Sequence, residues 1–138
     1  MDFTINFWAV IVSAIVNMII GSLWFGPLFG KKFMEVMGFE KLSEEERKNM
    51  QKGMYRTYLA QFIACLVMFY ALAWFMAAVG WAGAGNGALL GFIVWIGFFV
   101  PFKLGEELWG GKMALFWIGA PYMLVTLLAA GAIIGGWQ

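Results

Sequence analysis

The chain has 138 residues, of which 63% are hydrophobic and 12% are charged, and its formal net charge is +1. Soluble domains average about 45–50% apolar and about 25% charged residues, so this composition excludes an ordinary soluble domain. The balanced charge gives no global field that would attract nucleic acid. The sequence has no histidine, which removes the usual general base and the usual zinc or haem ligand.

Long uncharged segments dominate the sequence, at residues 3–28, 57–102 and 113–138. A membrane-spanning helix needs about 20 mostly apolar residues, and lipid offers no hydrogen-bond partner to the open edge of a sheet. We therefore predict an all-α integral membrane protein, a four-helix transmembrane bundle with a short cytoplasmic helix between spans 1 and 2. We expect a single transmembrane domain, residues 1–138, with a cytoplasmic loop at 28–56 and spans at about 5–27, 57–79, 88–104 and 113–135.

Positive charge is concentrated on one side of this predicted topology. Seven of the nine Lys and Arg residues lie between Lys31 and Arg56, and the other two, Lys103 and Lys112, flank the connection between spans 3 and 4. Loops rich in Lys and Arg stay in the cytoplasm. We therefore expect both termini to lie outside.

The loop after span 1 contains a predicted helix. Ser43 followed by Glu46 is a capping box. Basic residues then recur at every fourth position as Lys48, Lys52 and Arg56, and these form one basic stripe leading into span 2. The simpler interpretation is that the stripe anchors the helix end at the lipid headgroups. The alternative is a binding site for an anionic lipid or an anionic ligand.

Polar side chains inside the spans are the best functional candidates in a membrane chain. We place an intramembrane polar cluster near the bilayer midplane, formed by Asn17, Tyr70, Tyr122 and Thr126. Hydrogen bonding between helices is the simpler role for such groups, and a polar pocket or water path is the alternative. Cys65 is the one cysteine, so an intrachain disulfide is excluded and a small buried apolar residue is expected.

No charged residue lies deep in a predicted span. The nearest carboxylates are Glu106 and Glu107, just past span 3, and Lys103 lies at the cytoplasmic end of that span. Lys103 and Glu107 are four residues apart, so they can pair on one helical face. A neutralised pair at the inner interface is one interpretation, and a cytoplasmic mouth where Glu106 binds or gates a cation is the other. We expect no metal site and no cofactor.

Glycine and proline mark further organisation. Glycine recurs every four residues at Gly83, Gly87 and Gly91, and again at Gly131 and Gly135; such rows let helix backbones approach closely. We expect them to pack within one chain, with contacts in a homo-oligomer as the second use. Separately, the segments 25–28 (FGPL) and 99–102 (FVPF) are similar. Either spans 1–2 and spans 3–4 are repeats, or this four-residue match arises by chance.

The segment 21–31 (GSLWFGPLFGK) resembles a motif at the end of span 1 in small four-span prokaryotic membrane proteins, the family filed as domain of unknown function 1761. The resemblance covers nearly the whole chain, implies the four-span fold and a prokaryotic cytoplasmic (inner) membrane, and implies no activity. Its exit motif is formed by Gly21, Trp24, Pro27, Gly30 and Lys31. Departures occur at Phe25 and Phe33, where tyrosine and tryptophan are common in the family, and at Gly119 and Met123, where asparagine and histidine are frequent.

Three classes of function are compatible with these features. The first is an oligomeric carrier or channel for a small solute or ion, in which Asn17, Tyr70, Thr126 and Glu106 line a common cavity. The second is a structural or accessory membrane subunit that packs against partner proteins or lipids. The third, a membrane enzyme, ranks last because the chain lacks histidine, buried charge and an activated cysteine. The expected partners are the lipid bilayer, other copies of the chain and anionic lipid, with no nucleic acid.

Overall fold

The computed structural model describes residues 5–38 and 41–137, and within these ranges the chain forms helices and turns without a β-strand. Four helical segments are long and apolar enough to cross a membrane, so the predicted all-α, four-span fold class is confirmed. These segments are span 1 (Phe7–Leu28), span 2 (Met54–Val79), span 3 (Ala84–Gly110) and span 4 (Met113–Gly136). The α-helices are α1 (Phe7–Leu23), α2 (Gly30–Met37), α3 (Glu44–Lys52), α4 (Met54–Val79), α5 (Ala84–Val94), α6 (Val100–Gly110) and α7 (Met113–Gly136).

Span 3 is longer at both ends than the predicted 88–104. Glu106 and Glu107 therefore lie within its last helix, α6, instead of just past the span. Helical hydrogen bonding continues as far as Gly111, which adopts a left-handed conformation with φ 72° that glycine tolerates and other residues rarely do. The predicted boundary followed the end of the apolar segment. The helix itself continues past that point, because a helix can extend beyond the hydrocarbon with charged residues.

The loop between spans 1 and 2 holds two helices, α2 and α3, where the sequence predicted one. Ser43 Oγ accepts a hydrogen bond from the backbone N–H of Glu46 at 3.2 Å, which is the cap that the sequence predicted for α3. Helix α2 is amphipathic: Lys31 is exposed, whereas Phe33 and Met37, one turn apart, are half-buried. Helix α2 therefore lies with one face on the bundle.

Span 4 is the central helix, because it packs against all three other spans. In its most apolar 18-residue stretch 44% of the residues are buried, the highest fraction among the four spans. Its closest neighbour is span 3. A Cβ added at Gly87 would overlap the carbonyl of Gly131, and one added at Gly135 would overlap the carbonyl of Gly83. The two glycine rows thus face each other within one chain, and the backbone N–H of Gly83 donates to the carbonyl of Gly135 at 2.8 Å.

Two π turns interrupt the spans, Trp24–Leu28 in span 1 and Trp95–Phe99 in span 3. Pro27 lies inside the first turn and Pro101 follows the second, and each proline removes one helical hydrogen-bond donor. The first turn starts at Trp24 and the second at Trp95. Aligning the two turns therefore pairs residues 24–28 with 95–99, whereas aligning the prolines pairs 25–28 with 99–102. Structurally, the W-x-G sequences at 24–26 and 95–97 are the matching elements.

The two ends of the bundle differ in character. The loop end carries α2, α3 and the turn at Gly111, and the termini end carries Asn6 and Trp137, whose side-chain amide and carbonyl are hydrogen-bonded at 2.7 Å. The half near the termini end has a continuous apolar core that includes Ala9, Val10, Phe69, Met76 and Ile134, and a cavity of about 700 Å³ lies beside Met76 and Ile134. Polar side chains in the membrane are found instead toward the loop end.

Candidate functional site

Spans 1 and 4 run antiparallel and are joined by polar ties along their length. The Asn6 amide bonds to the Trp137 carbonyl at the termini end. Nearer the middle, the hydroxyl of Tyr122 donates to Oδ1 of Asn17 at 2.7 Å. Toward the loop end, the indole N–H of Trp24 donates to the carbonyl of Ile118 at 3.0 Å. These ties fix the register between the two helices.

Asn17 is the centre of a small polar network that joins three spans. Its side chain is buried, with 2% of the residue exposed. Its Oδ1 accepts from Tyr122 of span 4, and its Nδ2 donates to Sγ of Cys65 in span 2 at 2.8 Å. Gln61, one turn before Cys65, donates to the same sulfur at 3.6 Å. Both ends of the Asn17 amide are therefore occupied, which holds the residue in one orientation.

A groove of about 460 Å³ opens on this network between spans 1 and 2. Its polar lining comes from Asn17 and Ser22 in span 1, Tyr58 and Gln61 in span 2, and Tyr122 in span 4. Among the described residues, no Lys, Arg, Asp or Glu side chain lines it. The volume lies within the range of about 300–1,000 Å³ typical of small-molecule sites. The groove can thus offer hydrogen bonds without a formal charge.

Polar side chains continue one helical turn beyond the network toward the termini end. Ser13 lies four residues before Asn17, and Thr126 lies four residues after Tyr122, so in antiparallel helices both are displaced in the same direction. Both are buried. Within the described chain the Ser13 hydroxyl has no hydrogen-bond partner, and the Thr126 hydroxyl, which interacts with the Tyr122 side chain, forms no hydrogen bond of good geometry. A buried hydroxyl without a well-formed hydrogen bond costs free energy, so these two groups mark a polar extension of the site into the apolar core.

Tyr70 does not belong to this cluster, and in that respect the predicted grouping with Asn17, Tyr122 and Thr126 needs correction. Its ring stacks on Phe7, near the start of span 1, with centroids 5.7 Å apart, and the residue is 41% exposed. Tyr70 follows Cys65 by five residues, which rotates it about 140° around the helix from the face that holds Cys65. It therefore faces away from Asn17.

The predicted cytoplasmic-mouth residues form an ion pair at the loop end. Lys103 Nζ lies 2.8 Å from Glu107 Oε1 and 3.8 Å from Glu106 Oε1. The Glu107 side chain is 6% exposed and that of Glu106 is 54% exposed. Glu107 is thus the close partner, as its spacing of four residues from Lys103 predicts, and Glu106 is the peripheral one.

A second cavity of about 290 Å³ surrounds this ion pair, and it is separate from the groove. Phe33 and Met37 of α2 form part of its wall. Phe25 lines both cavities, and its ring contacts Tyr122 on one side and Phe33 on the other, edge to face, at centroid distances of 5.2 and 5.1 Å. The expectation of one common cavity for Asn17, Tyr70, Thr126 and Glu106 is therefore wrong, because an aromatic ring divides the polar region from the charged one.

A protein-family model, described as Protein of unknown function (DUF1761), matches residues 8–135. The chain belongs to this family. The match spans all four membrane helices and confirms the resemblance that the segment 21–31 indicated. Comparison with curated proteins and with solved structures gives no match.

In this family member, the exit motif shapes the wall of the groove and the start of α2. Gly21 faces Tyr122, since a Cβ added there would lie 3.1 Å from the phenolic oxygen. Trp24 ties span 1 to span 4, and Pro27 lies in the π turn.

Gly30 allows the chain to pass close to the end of span 1, because an added Cβ would lie 2.8 Å from the carbonyl oxygen of Phe25. Lys31 is exposed on α2.

The basic stripe is divided between two helices. Lys48 and Lys52 lie on α3, whereas Arg56 lies on α4, and Gly53 forms a turn between them with φ −93° and ψ 0°. The predicted single helical face is therefore interrupted. All three side chains are exposed, and Arg56 lies over the ring of Tyr55 with 5.8 Å from Cζ to the ring centroid.

The predicted clusters did not include Ser22, Phe25, Tyr58 or Gln61, which all line the groove. Tyr58, Gln61 and Cys65 are spaced three and four residues apart, which places them on one face of span 2. That spacing was visible in the sequence. The position of Phe25 between two cavities was not, because it depends on where α2 packs. Within the described ranges, no three Cys, Asp or Glu side chains come together as a metal site.

Proposed function

We propose that this chain is the subunit of an oligomeric carrier or channel for small solutes or ions. The observation that carries the proposal is the groove between spans 1 and 2, where Tyr58 and Gln61 present hydrogen-bonding groups beside the polar wall formed by Asn17. Polar residues at membrane depth are costly and commonly belong to substrate pathways. The groove and the second cavity adjoin at a single ring, that of Phe25, which gives the outline of a path from the loop end.

The proposal includes an oligomer because one copy does not enclose a path. The groove has an open side at Tyr58 and Gln61, both of which are exposed. Beyond Ser13 and Thr126, the half of the bundle near the termini end has an apolar core, and its cavity of about 700 Å³ shares no described lining residue with the groove. A second copy against spans 1 and 2 would supply the missing wall, and a movement of the helices would have to open the apolar half.

We further propose that the protein resides in a prokaryotic cytoplasmic membrane with both termini outside. Support comes from the placement of Lys and Arg at the loop end, which the positive-inside rule assigns to the cytoplasm. In that orientation Lys48, Lys52 and Arg56 would meet the headgroups of the inner leaflet, where anionic lipids attract basic side chains. We propose no catalytic role, because the hydrogen-bond partners of Cys65 are the neutral amides of Asn17 and Gln61.

The alternative function, an accessory subunit that packs against partner proteins or lipids, is favoured by a different observation. Among the described residues, the groove shares no lining residue with the cavity at the termini end, and Phe25 separates it from the charged cavity. A bundle without a continuous path suits a packing role. The experiment must therefore distinguish permeation from its absence.

The test is permeability of proteoliposomes, measured by osmotic light scattering for neutral solutes and by ion-sensitive dyes for ions. Gly26 lines the groove and has open space where a side chain would begin, so Gly26→Leu fills the groove with little strain. Gly97 is the equivalent residue of the other π turn, also in open space, and Gly97→Leu is the matched control.

We expect at least one solute to cross faster than in protein-free vesicles. Gly26→Leu should remove that excess, and Gly97→Leu should retain it. Absence of excess permeation for every solute and ion would overturn the carrier proposal in favour of the accessory role.

A further inference from the structure

The groove has two layers of polar groups with different roles. The inner layer is Asn17, Tyr122 and Cys65, which satisfy one another. The outer layer is Ser22, Tyr58 and Gln61, which lie at the open side and are exposed. The inner layer is therefore a fixed wall, and the outer layer is the part that can bind a ligand.

The outer layer keeps both donor and acceptor capacity. The Ser22 hydroxyl donates to the Met18 carbonyl at 2.9 Å, which leaves its oxygen as an acceptor. Gln61 uses one N–H in a long contact to Cys65, which leaves its carbonyl oxygen and its second N–H. Among the hydrogen bonds of the described residues, none uses the Tyr58 hydroxyl. A ligand with adjacent donor and acceptor groups would match this set.

The position of Gln61 gives an independent reason to expect a ligand. It lies seven residues into α4 (Met54–Val79), about 10 Å along the helix, in a segment whose exposed side chains include Leu59 and Ile63. An amide group that faces hydrocarbon without a partner costs roughly 2–7 kcal/mol, depending on the reference state, and among the hydrogen bonds of the described residues none uses the Gln61 carbonyl. A bound polar molecule would supply those partners.

Ionic ligands fit this groove poorly. An anion or cation taken out of water needs an opposite charge or several oriented dipoles, and no charged side chain of the described residues lines the groove. Lys103 and Glu107 lie in the other cavity behind Phe25 and are paired with each other.

From these observations we propose that the groove binds a small uncharged molecule with adjacent hydrogen-bond donor and acceptor groups, of the carboxamide or urea class. The proposal rests on the proposed function in that it names the solute class of the same groove. Gln61 would provide the paired contact, with its carbonyl accepting from the ligand N–H and its amide donating to the ligand carbonyl. Tyr58 and Ser22 would flank that contact.

Binding can be tested without transport by saturation-transfer NMR on the full chain in lipid nanodiscs. The probes are two pairs of nearly equal shape that differ in charge: acetamide against acetate, and methylurea against methylguanidinium. We expect signals from the neutral probes that exceed those from the charged probes by about tenfold. This is the change in affinity that accompanies the loss of one good hydrogen bond. Empty nanodiscs give the background.

Variants locate the binding site. Gly26→Leu should reduce the neutral signal to background, Gln61→Leu should reduce it about tenfold, and Gly97→Leu should leave it unchanged. Equal signals from charged and neutral probes, or a neutral signal that survives both groove variants, would overturn the proposal. So would the absence of a signal from every probe; if Gly26→Leu then also loses its oligomer, a second copy is the occupant of the groove.

The same measurements separate this inference from the proposed function. Binding of neutral probes without permeation would leave the ligand class standing and overturn the carrier. Permeation of ions that Gly26→Leu blocks would support the carrier and overturn the ligand class.

Discussion

The hydroxyl of Tyr122 in span 4 donates a hydrogen bond of 2.7 Å to the Asn17 side chain of span 1. Gly21, one turn further along span 1, leaves room for the phenol, because a Cβ there would lie 3.1 Å from its oxygen. The same amide of Asn17 reaches Cys65 in span 2. One buried residue thus sets the mutual position of three helices and forms the back wall of the groove.

The first prediction concerns the strength of this bond. In a double-mutant cycle of Asn17→Leu and Tyr122→Phe, we expect a coupling free energy of about 0.6 kcal/mol, with about 1.7 kcal/mol as the upper end for membrane proteins. Unfolding in mixed micelles measures it. Tyr70→Phe is the control. The Tyr70 ring stacks on Phe7 away from the network, so loss of the Tyr70 hydroxyl should change the free energy of unfolding little. Strict additivity of the two network variants would contradict the interpretation of Asn17 as a hub.

The second prediction concerns Phe25 as the partition between the two cavities. Phe25→Ala would join them, so the permeation attributed to the groove should rise on the order of tenfold if the ring contributes about 1.4 kcal/mol to the barrier. Ile96→Ala is the matched control at the equivalent position of the other π turn, where the side chain is exposed. Proteoliposome permeability is the measurement, and equal rates in both variants would refute the role of the ring.

The third prediction concerns the glycine contact between spans 3 and 4. Gly87→Ala places a methyl group into the carbonyl of Gly131, so the helices must separate at a cost of about 1–3 kcal/mol or more. Gly85→Ala on the same helix meets open space and should be neutral or slightly stabilising, because alanine favours helix more than glycine. Thermal unfolding in detergent compares them. If Gly87→Ala is as stable as Gly85→Ala, the two backbones are not in contact.

The fourth prediction concerns the ion pair at the loop end. Glu107→Gln leaves Lys103 without its partner at 2.8 Å. Breaking a fully buried pair costs about 3–5 kcal/mol, and we expect less here because the Lys103 side chain is 23% exposed. Glu106→Gln should have a much smaller effect on the free energy of unfolding, since Glu106 is the distant, exposed member. Adding Lys103→Met to Glu107→Gln should restore much of the loss. Similar losses for the two glutamate variants would contradict the assigned pairing.

The fifth prediction concerns membrane orientation. In a Cys65→Ser background, Lys48→Cys lies in the loop between spans 1 and 2, and Asn86→Cys lies near the start of span 3 at the termini end. A membrane-impermeant maleimide added to intact cells should label Asn86→Cys and should reach Lys48→Cys only after lysis. The opposite pattern would reverse the proposed topology.

Much of the site depended on contacts that no local pattern reveals. The sequence identified Asn17, Tyr122 and Thr126 as polar residues at similar depth, and periodicity could have added Tyr58 and Gln61 through their spacing from Cys65. Depth alone also grouped Tyr70 with them, although its position on the helix turns it toward Phe7. Depth follows from counting residues along a span, whereas direction follows from which face the neighbouring helices cover.

The sequence by itself determined the membrane class, the four spans and the position of the charged loop, because the free energy of placing apolar and charged groups in hydrocarbon depends on composition and length. It also determined that Lys103 and Glu107 can pair, since a spacing of four residues is a local property of a helix. Only the tertiary structure decided that the two glycine rows face each other, that Phe25 divides two cavities and that Asn17 joins three spans. Those relations depend on the rotation and register of packed helices, which many weak contacts fix together and which no single segment encodes.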